Sequence, residues 1–131
     1  MEIRSFMLIM LVGLAMAGRG MAASLAAVLT GRAYAVSAEM ASFQAPFPHF
    51  SKNRNVMRSV IGQHREHARK LLKDFPHEIS QAAVFDWDEA LQLGNQFGYR
   101  NAHATVLAPT GTIGLLMDCD TTGIEPDFAL V

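Results

Sequence analysis

A single cysteine, Cys119, stands in the 131 residues of this chain. No intrachain disulfide can form, and a lone thiol fits a reducing compartment. Charge in excess is lacking as well, since 11 Lys and Arg face 12 Asp and Glu for a formal net charge of −1. With no large basic patch, direct nucleic-acid binding has no electrostatic support. The Gly-Lys-Ser/Thr ending of a Walker loop is absent, and Gly111 and Gly114 are not spaced as the Gly-x-Gly-x-x-Gly of a dinucleotide fold. The apolar run from Phe6 to Ala17 falls short of the roughly 18 residues a membrane span needs, so no membrane partner is expected.

What is present is concentrated near the C-terminus. A β-branched stretch leads into Pro109-Thr-Gly-Thr-Ile113, and a new apolar segment follows. Val106 to Ala108 is expected to close a strand, Pro109 to end it, and Gly111 to free the backbone for a tight turn before a helix over Ile113–Met117. Amides left unpaired at such a turn favour an anion, and the Thr110 and Thr112 hydroxyls add donors beside them. The bland alternative is that Thr110 only caps the helix.

The rest reads as helical scaffold. Met21 to Phe43 is Ala-rich, with Leu25, Val28, Leu29, Tyr34 and Val36 as expected core positions and Gly31 as a bend or break. The Phe6–Ala17 run with Met21, Leu25, Val28 and Leu29 suits a buried helical hairpin. Asn53 is expected to cap a second helix running to about Asp74, with Val56, Met57, Val60, Ile61, Ala68, Leu71 and Leu72 inward and Arg58, Arg65, Glu66, Arg69, Lys70 and Lys73 on a solvated face. Asp86 and Glu89 form a capping-box-like start for a third helix to about Phe97, stopped by Gly98, with Trp87 and Leu91 facing the core.

Two further features invite chemistry. His64 and His67 share a helix face at metal-ligand spacing, yet no third ligand stands near them, and no metal is expected. Asp118 and Asp120 flank Cys119, where acidic loop residues more often cap and solvate.

The longer string is distinctive. Arg100-Asn101, Ala104-Thr-Val-Leu-Ala-Pro-Thr-Gly-Thr-Ile-Gly114 and Met117-Asp-Cys-Asp-Thr-Thr-Gly-Ile-Glu-Pro-Asp127 together resemble the large catalytic chain of adenosylcobalamin-dependent, class II, ribonucleotide reductase. Gly31-Arg-Ala-Tyr-Ala-Val-Ser-Ala-Glu-Met-Ala41, Ala45-Pro-Phe, Lys52-Asn-Arg54, Val60-Ile, His64-Arg65 and Trp87-Asp-x-Ala-Leu91 extend the likeness upstream, in order, to about Gly18.

The resemblance implies an α/β fold: a helix-rich fragment of a ten-stranded α/β barrel, with three or four helices and one or two strands. Residues 1–131 would be a partial barrel domain, preceded over residues 1–17 by the apolar run. It implies radical reduction of ribonucleotides, as ribonucleoside diphosphates, to deoxyribonucleotides, with adenosylcobalamin supplying the radical. Pro109, Thr110, Gly111, Thr112 and Ile113 would bind the substrate's phosphates, and Glu125 would lie near the active-site end of the barrel in a structural hydrogen-bonding role. No catalytic role is implied for Cys119, which lies outside the family's radical and redox positions, and the family's Asn-x-Cys-x-Glu motif is missing. Catalysis is therefore expected to reside in segments beyond this one. The implied partners are the ribonucleotide substrate, the rest of the catalytic chain and a second subunit in a homodimer of the full enzyme, in the cytoplasm.

Length and ends favour a fragment, because the apolar run Phe128–Val131 would need strand neighbours that the chain does not supply. Two alternatives stand beside this expectation. One is a self-sufficient nucleotide- or phosphate-binding module. The other is an exported small protein, since Ala15-Met16-Ala17 satisfies the small-x-small cleavage rule, although Glu2 cancels Arg4 in the leader.

Overall fold

The computed structural model describes residues 3–106 and 111–118. Four helices follow in order: α1 over Ile3–Gln44, α2 over Phe50–Asp74, α3 over Glu78–Phe97 and the short α4 over Gly111–Leu116. Helix α3 lies mainly along α1 and secondarily along α2, while α1 and α2 touch little.

Small residues decide how α1 and α3 meet. Ser24, Gly31, Ala35 and Ala38 on α1 are buried against a facing row of Ser80, Ala83, Ala90 and Gly94 on α3. Such rows let two backbones approach closely, so each helix presents a groove and not a ridge. The two buried hydroxyls satisfy each other and the backbone: Ser24 Oγ and Ser80 Oγ lie 3.0 Å apart, Ser24 donates to Gly20 O and Ser80 to Phe75 O, both at 2.7 Å. Bulk comes from a few aromatic rings. Trp87 and Tyr99 are fully buried, and Tyr34 packs its ring against both, 6.0 Å from Trp87 and 5.8 Å from Tyr99 by centroid.

The expected strands are not found among the described residues. Val106 is coil and 86% exposed, while 107–110 and 128–131 lie outside the described residues. The α/β expectation is corrected to a helical assembly, for a physical reason. A strand needs a neighbouring ladder to pair its amides and carbonyls, and the segment from Tyr99 to Val106 finds a helix beside it.

Helix boundaries differ as well. α1 runs unbroken through Gly31, whose α-carbon faces the Trp87 ring; an added Cβ there would meet the indole at 3.1 Å. The expected hairpin is therefore one long helix, and its buried stripe holds Ala, Ser and Tyr34, whereas Leu25, Leu29 and Val36, expected inside, are exposed. These three face away from the seam, where the close α1–α3 approach along the small-residue stripe leaves little room for them.

Helix α2 begins three residues before Asn53, after His49 in the left-handed region at φ 67°. Asn53 is inside the helix, where its amide donates to His49 O at 3.1 Å. Helix α3 begins at Glu78 behind His77, whose Nδ1 accepts from Ile79 N at 3.3 Å. Asp86 and Glu89 therefore sit in mid-helix and pair with Arg32 of α1, with Nη1 at 4.0 Å from Asp86 and 2.5 Å from Glu89. Gly98 ends α3 as expected, at φ 80°. The face read as solvated is partly a seam: Arg65 and Arg69 of α2 both reach Asp88 Oδ1 of α3, Arg69 at 3.3 Å. On the inward side Ile61 and Ala68 are buried, but Val56 and Val60 are exposed.

By length and composition alone, α1 from Val12 is apolar enough to cross a membrane, at a mean hydropathy of 1.5. The run Phe6–Ala17, read from the sequence as too short for a span, lies in one unbroken helix with the apolar residues that continue past Gly18. A core helix of a larger soluble protein passes the same test.

Candidate functional site

The loop singled out by sequence is reached through a segment that descends along α1. Where α3 ends, Tyr99 drops into the core and accepts Phe47 N at its carbonyl, 2.9 Å away. Arg100 N then donates to Ser37 O, also at 2.9 Å. Asn101 makes two bonds to the same serine: its N–H donates to Ser37 Oγ at 2.9 Å, and its Oδ1 accepts from that hydroxyl at 3.0 Å. One turn further down α1, the Tyr34 hydroxyl donates to Ala102 O at 3.4 Å. Another turn down, Thr30 Oγ1 and Thr105 Oγ1 lie 3.0 Å apart.

Thr30, Tyr34 and Ser37 thus form a polar ladder on one side of α1. The sequence contains a signal for it. Hydrogen-bonding side chains at i, i+4 and i+7 of an Ala-rich helix share one face, and the three anchors lie at that spacing. Reading the helix for apolar residues alone passes over them.

Of the five residues expected to bind phosphate, Pro109 and Thr110 lie outside the described residues. Gly111, Thr112 and Ile113 form the first turn of α4, and Gly111 has φ 45°. That conformation is left-handed, which a glycine adopts freely and a β-branched residue does not. Thr112 and Ile113 are exposed, Ile113 at 61%. Among the described residues α4 packs against none of the other helices. Cys119, Asp120 and Glu125 lie outside the described residues.

The histidine pair has a structural setting. His64 stacks on Trp87 with centroids 5.0 Å apart and planes at 15°, and His67 Nδ1 lies 2.7 Å from Gln63 O. Among the described residues no three metal-ligating side chains gather. Both histidines border a cavity of about 370 Å³ between α1 and α2, with Ala23, Ala27 and Leu71 on its walls and Trp87 at its floor. A second cavity, about 380 Å³, lies between α2 and α3 beside Asn55, Arg58 and Asn95. Both are at the small end of ligand pockets.

Comparison with known proteins agrees with the string of motifs. A family model described as the ribonucleotide reductase barrel domain matches residues 14–131. The chain belongs to this family. Among its reductase relatives, a protein of Agrobacterium fabrum named vitamin B12-dependent ribonucleotide reductase is 48% identical over 87% of this chain. A protein of the same name from Rhodopirellula baltica is 50% identical over 88%, and one from Streptantibioticus cattleyicolor 44% identical over 87%. The aligned segment spans only 10%, 11% and 19% of those three relatives. What is described here is thus a helical portion of a reductase barrel domain.

Cobalamin does not fit the residues described. Two cavities of about 370 and 380 Å³ are much smaller than a corrin ring with its nucleotide tail.

Proposed function

We propose that this segment supplies the substrate-phosphate loop of a vitamin B12-dependent ribonucleotide reductase, with Pro109, Thr110, Gly111, Thr112 and Ile113 as the residues that hold the phosphates of a ribonucleoside diphosphate. The observation that carries the reading is Gly111 at φ 45°, opening a helical turn inside a segment matched by the reductase barrel model. A left-handed glycine turns the following amides outward in a way a side-chain-bearing residue resists, and Thr112 adds a hydroxyl beside them. In the complete enzyme, bound cobalamin would supply the radical that starts ribose reduction. The residues of this segment would bind and orient the substrate, and the cysteines that transfer electrons would come from the rest of the catalytic chain. The enzyme would work in the cytoplasm as a homodimer.

The test is a complete reductase carrying residues 14–131 of this chain. Gly111→Val with Thr112→Val crowds the amides and removes a donor, so the Michaelis constant for the ribonucleotide rises while kcat changes little. An unchanged Michaelis constant would show that the loop does not touch phosphate.

A further inference from the structure

The part of the phosphate loop that lies among the described residues, Gly111 to Ile113, has little there to hold it in place. α4 packs on none of the other helices among the described residues, and an added Cβ at Gly111 would meet nothing within 4 Å. The last attachment before it among the described residues is the polar ladder on α1. Resting on the phosphate-loop reading, the geometry points to Ser37 and Asn101, seconded by Thr30 and Thr105, as positioning residues that fix where the substrate-phosphate loop begins.

Reach decides why both pairs matter. A chain extends at most about 3.6 Å per residue. At that limit the span to Gly111 is about 36 Å from Asn101 and about 22 Å from Thr105, so the second pair brings the anchor closer to the loop. The Ser37–Asn101 pair sets the register, because the same hydroxyl both receives the Asn101 N–H and donates to its Oδ1, at 2.9 and 3.0 Å. A slip by one residue would leave both groups, and the 2% exposed Ser37, without these partners. Arg100 N to Ser37 O, at 2.9 Å, adds a third bond at the same residue. The anchor is stiff because Ser37 sits on the buried face of α1 beside Ala38, which is fully buried. Asn101 itself is exposed, so it can be replaced without opening the core.

The experiment uses this chain, with Asn101→Ala, Asn101→Asp and a double variant Thr30→Val with Thr105→Val. Asp keeps the oxygen that accepts from Ser37; Ala does not. Amide hydrogen exchange reads the anchoring. The affinity for inorganic pyrophosphate, followed on the Gly111, Thr112 and Ile113 amides, reads the consequence. Work at 0.15 M salt limits the effect of the added Asp charge to within about 8 Å. Asn101→Ala is expected to speed exchange at the two amides held by Ser37, those of Arg100 and residue 101, at least tenfold with Trp87 unchanged, and to weaken pyrophosphate at least fivefold. Asn101→Asp restores both, which a general loss of packing would not allow. The threonine double variant weakens pyrophosphate without changing exchange at Asn101.

Equal exchange and equal affinity in all chains overturn the positioning role and leave the phosphate reading standing. Faster exchange in Asn101→Ala with no pyrophosphate response in any chain overturns the phosphate reading and leaves the anchoring standing. Should Asn101→Ala destabilise the whole bundle, seen as faster exchange at Trp87 too, the threonine pair decides: unchanged pyrophosphate affinity there overturns the proposal.

Discussion

The Tyr99 hydroxyl occupies the ground that a side chain at Gly94 would need, and from there it donates to Ala90 O at 3.0 Å. The two residues lie on either side of the turn made by Gly98, so the end of α3 folds back on its own last turns. Phe50 and Tyr34 close the ring in edge-on, at centroid distances of 6.2 and 5.8 Å. This fold-back starts the descent along α1 that leads toward the loop.

Gly94→Ala tests how tight that relationship is. A Cβ would overlap the far end of the Tyr99 ring, which is fully buried between two other rings and has nowhere to go. Overpacking costs about 1–3 kcal/mol and the helix propensity of Ala returns about 1, so a net loss of about 1 kcal/mol is expected in urea unfolding. Adding Tyr99→Phe does not restore it, because a ring carbon conflicts as well as the hydroxyl.

Tyr99 also makes alkaline stability specific. Burial pushes its phenol well above the usual value of 10.0, neighbouring Tyr34 pushes it the same way, and Arg58 pulls it slightly back. The folded state thus holds the proton that the unfolded state releases, so its share of stability is present below pH 10 and is lost as pH rises beyond it. Thermal unfolding of the wild-type chain is expected to fall more steeply above pH 10 than that of Tyr99→Phe. Parallel curves would show that the hydroxyl is not shielded.

Asp86 gives the acid-side counterpart. Burial raises its carboxyl above 3.8, Arg32 lowers it and Glu89 raises it again. A raised carboxyl adds stability below its unfolded value, and this share is lost as pH climbs through the folded one. Asp86→Asn is therefore expected to match or exceed the wild-type melting temperature at pH 7, with the gap closing in favour of the wild type as pH falls toward the carboxylate range. A variant much less stable at pH 7 would show that the Arg32 partnership outweighs burial.

Trp87→Ala removes the ring that fills the space between α1, α2 and α3. It is 2% exposed, and Tyr34 and His64 pack on it. Truncating a buried aromatic costs about 3–5 kcal/mol, enough to leave the bundle without a cooperative melting transition in calorimetry. A sharp transition within a few degrees of the wild type would mean that the cavity beside the ring collapses without cost.

The chain by itself is expected to reduce no ribonucleotide when given adenosylcobalamin and a dithiol. Its one cysteine cannot supply both the radical thiol and the electron-donating pair that the chemistry requires. Chromatographic detection of deoxyribonucleotide formed by the purified chain would refute this.

Much was legible in the residues alone, and unevenly so. The motif string around Pro109–Ile113 identified the family because a chain of specific residue types in fixed order survives any uncertainty about shape. Helix α2, the end of α3 at Gly98 and the inward position of Trp87 followed from periodicity and from glycine's backbone freedom. Those are local properties of the chain.

The face of α1 that is buried was decided elsewhere. Leu25 and Leu29 are more hydrophobic than Ala35 and Ala38, yet they lie outside, since α3 brings its own small residues close along the stripe that holds the two alanines. Asp86 and Glu89 read as a helix start because carboxylates suit an N-terminus; only the approach of Arg32 from another helix gave them a different use. The expected strand depended on a neighbouring ladder, and the fold set the serine, tyrosine and threonine of α1 beside residues 100–105 instead. Composition and order thus determined what chemistry the segment belongs to. Which side chains meet, and hence what anchors the loop, was settled by packing between residues far apart in the chain.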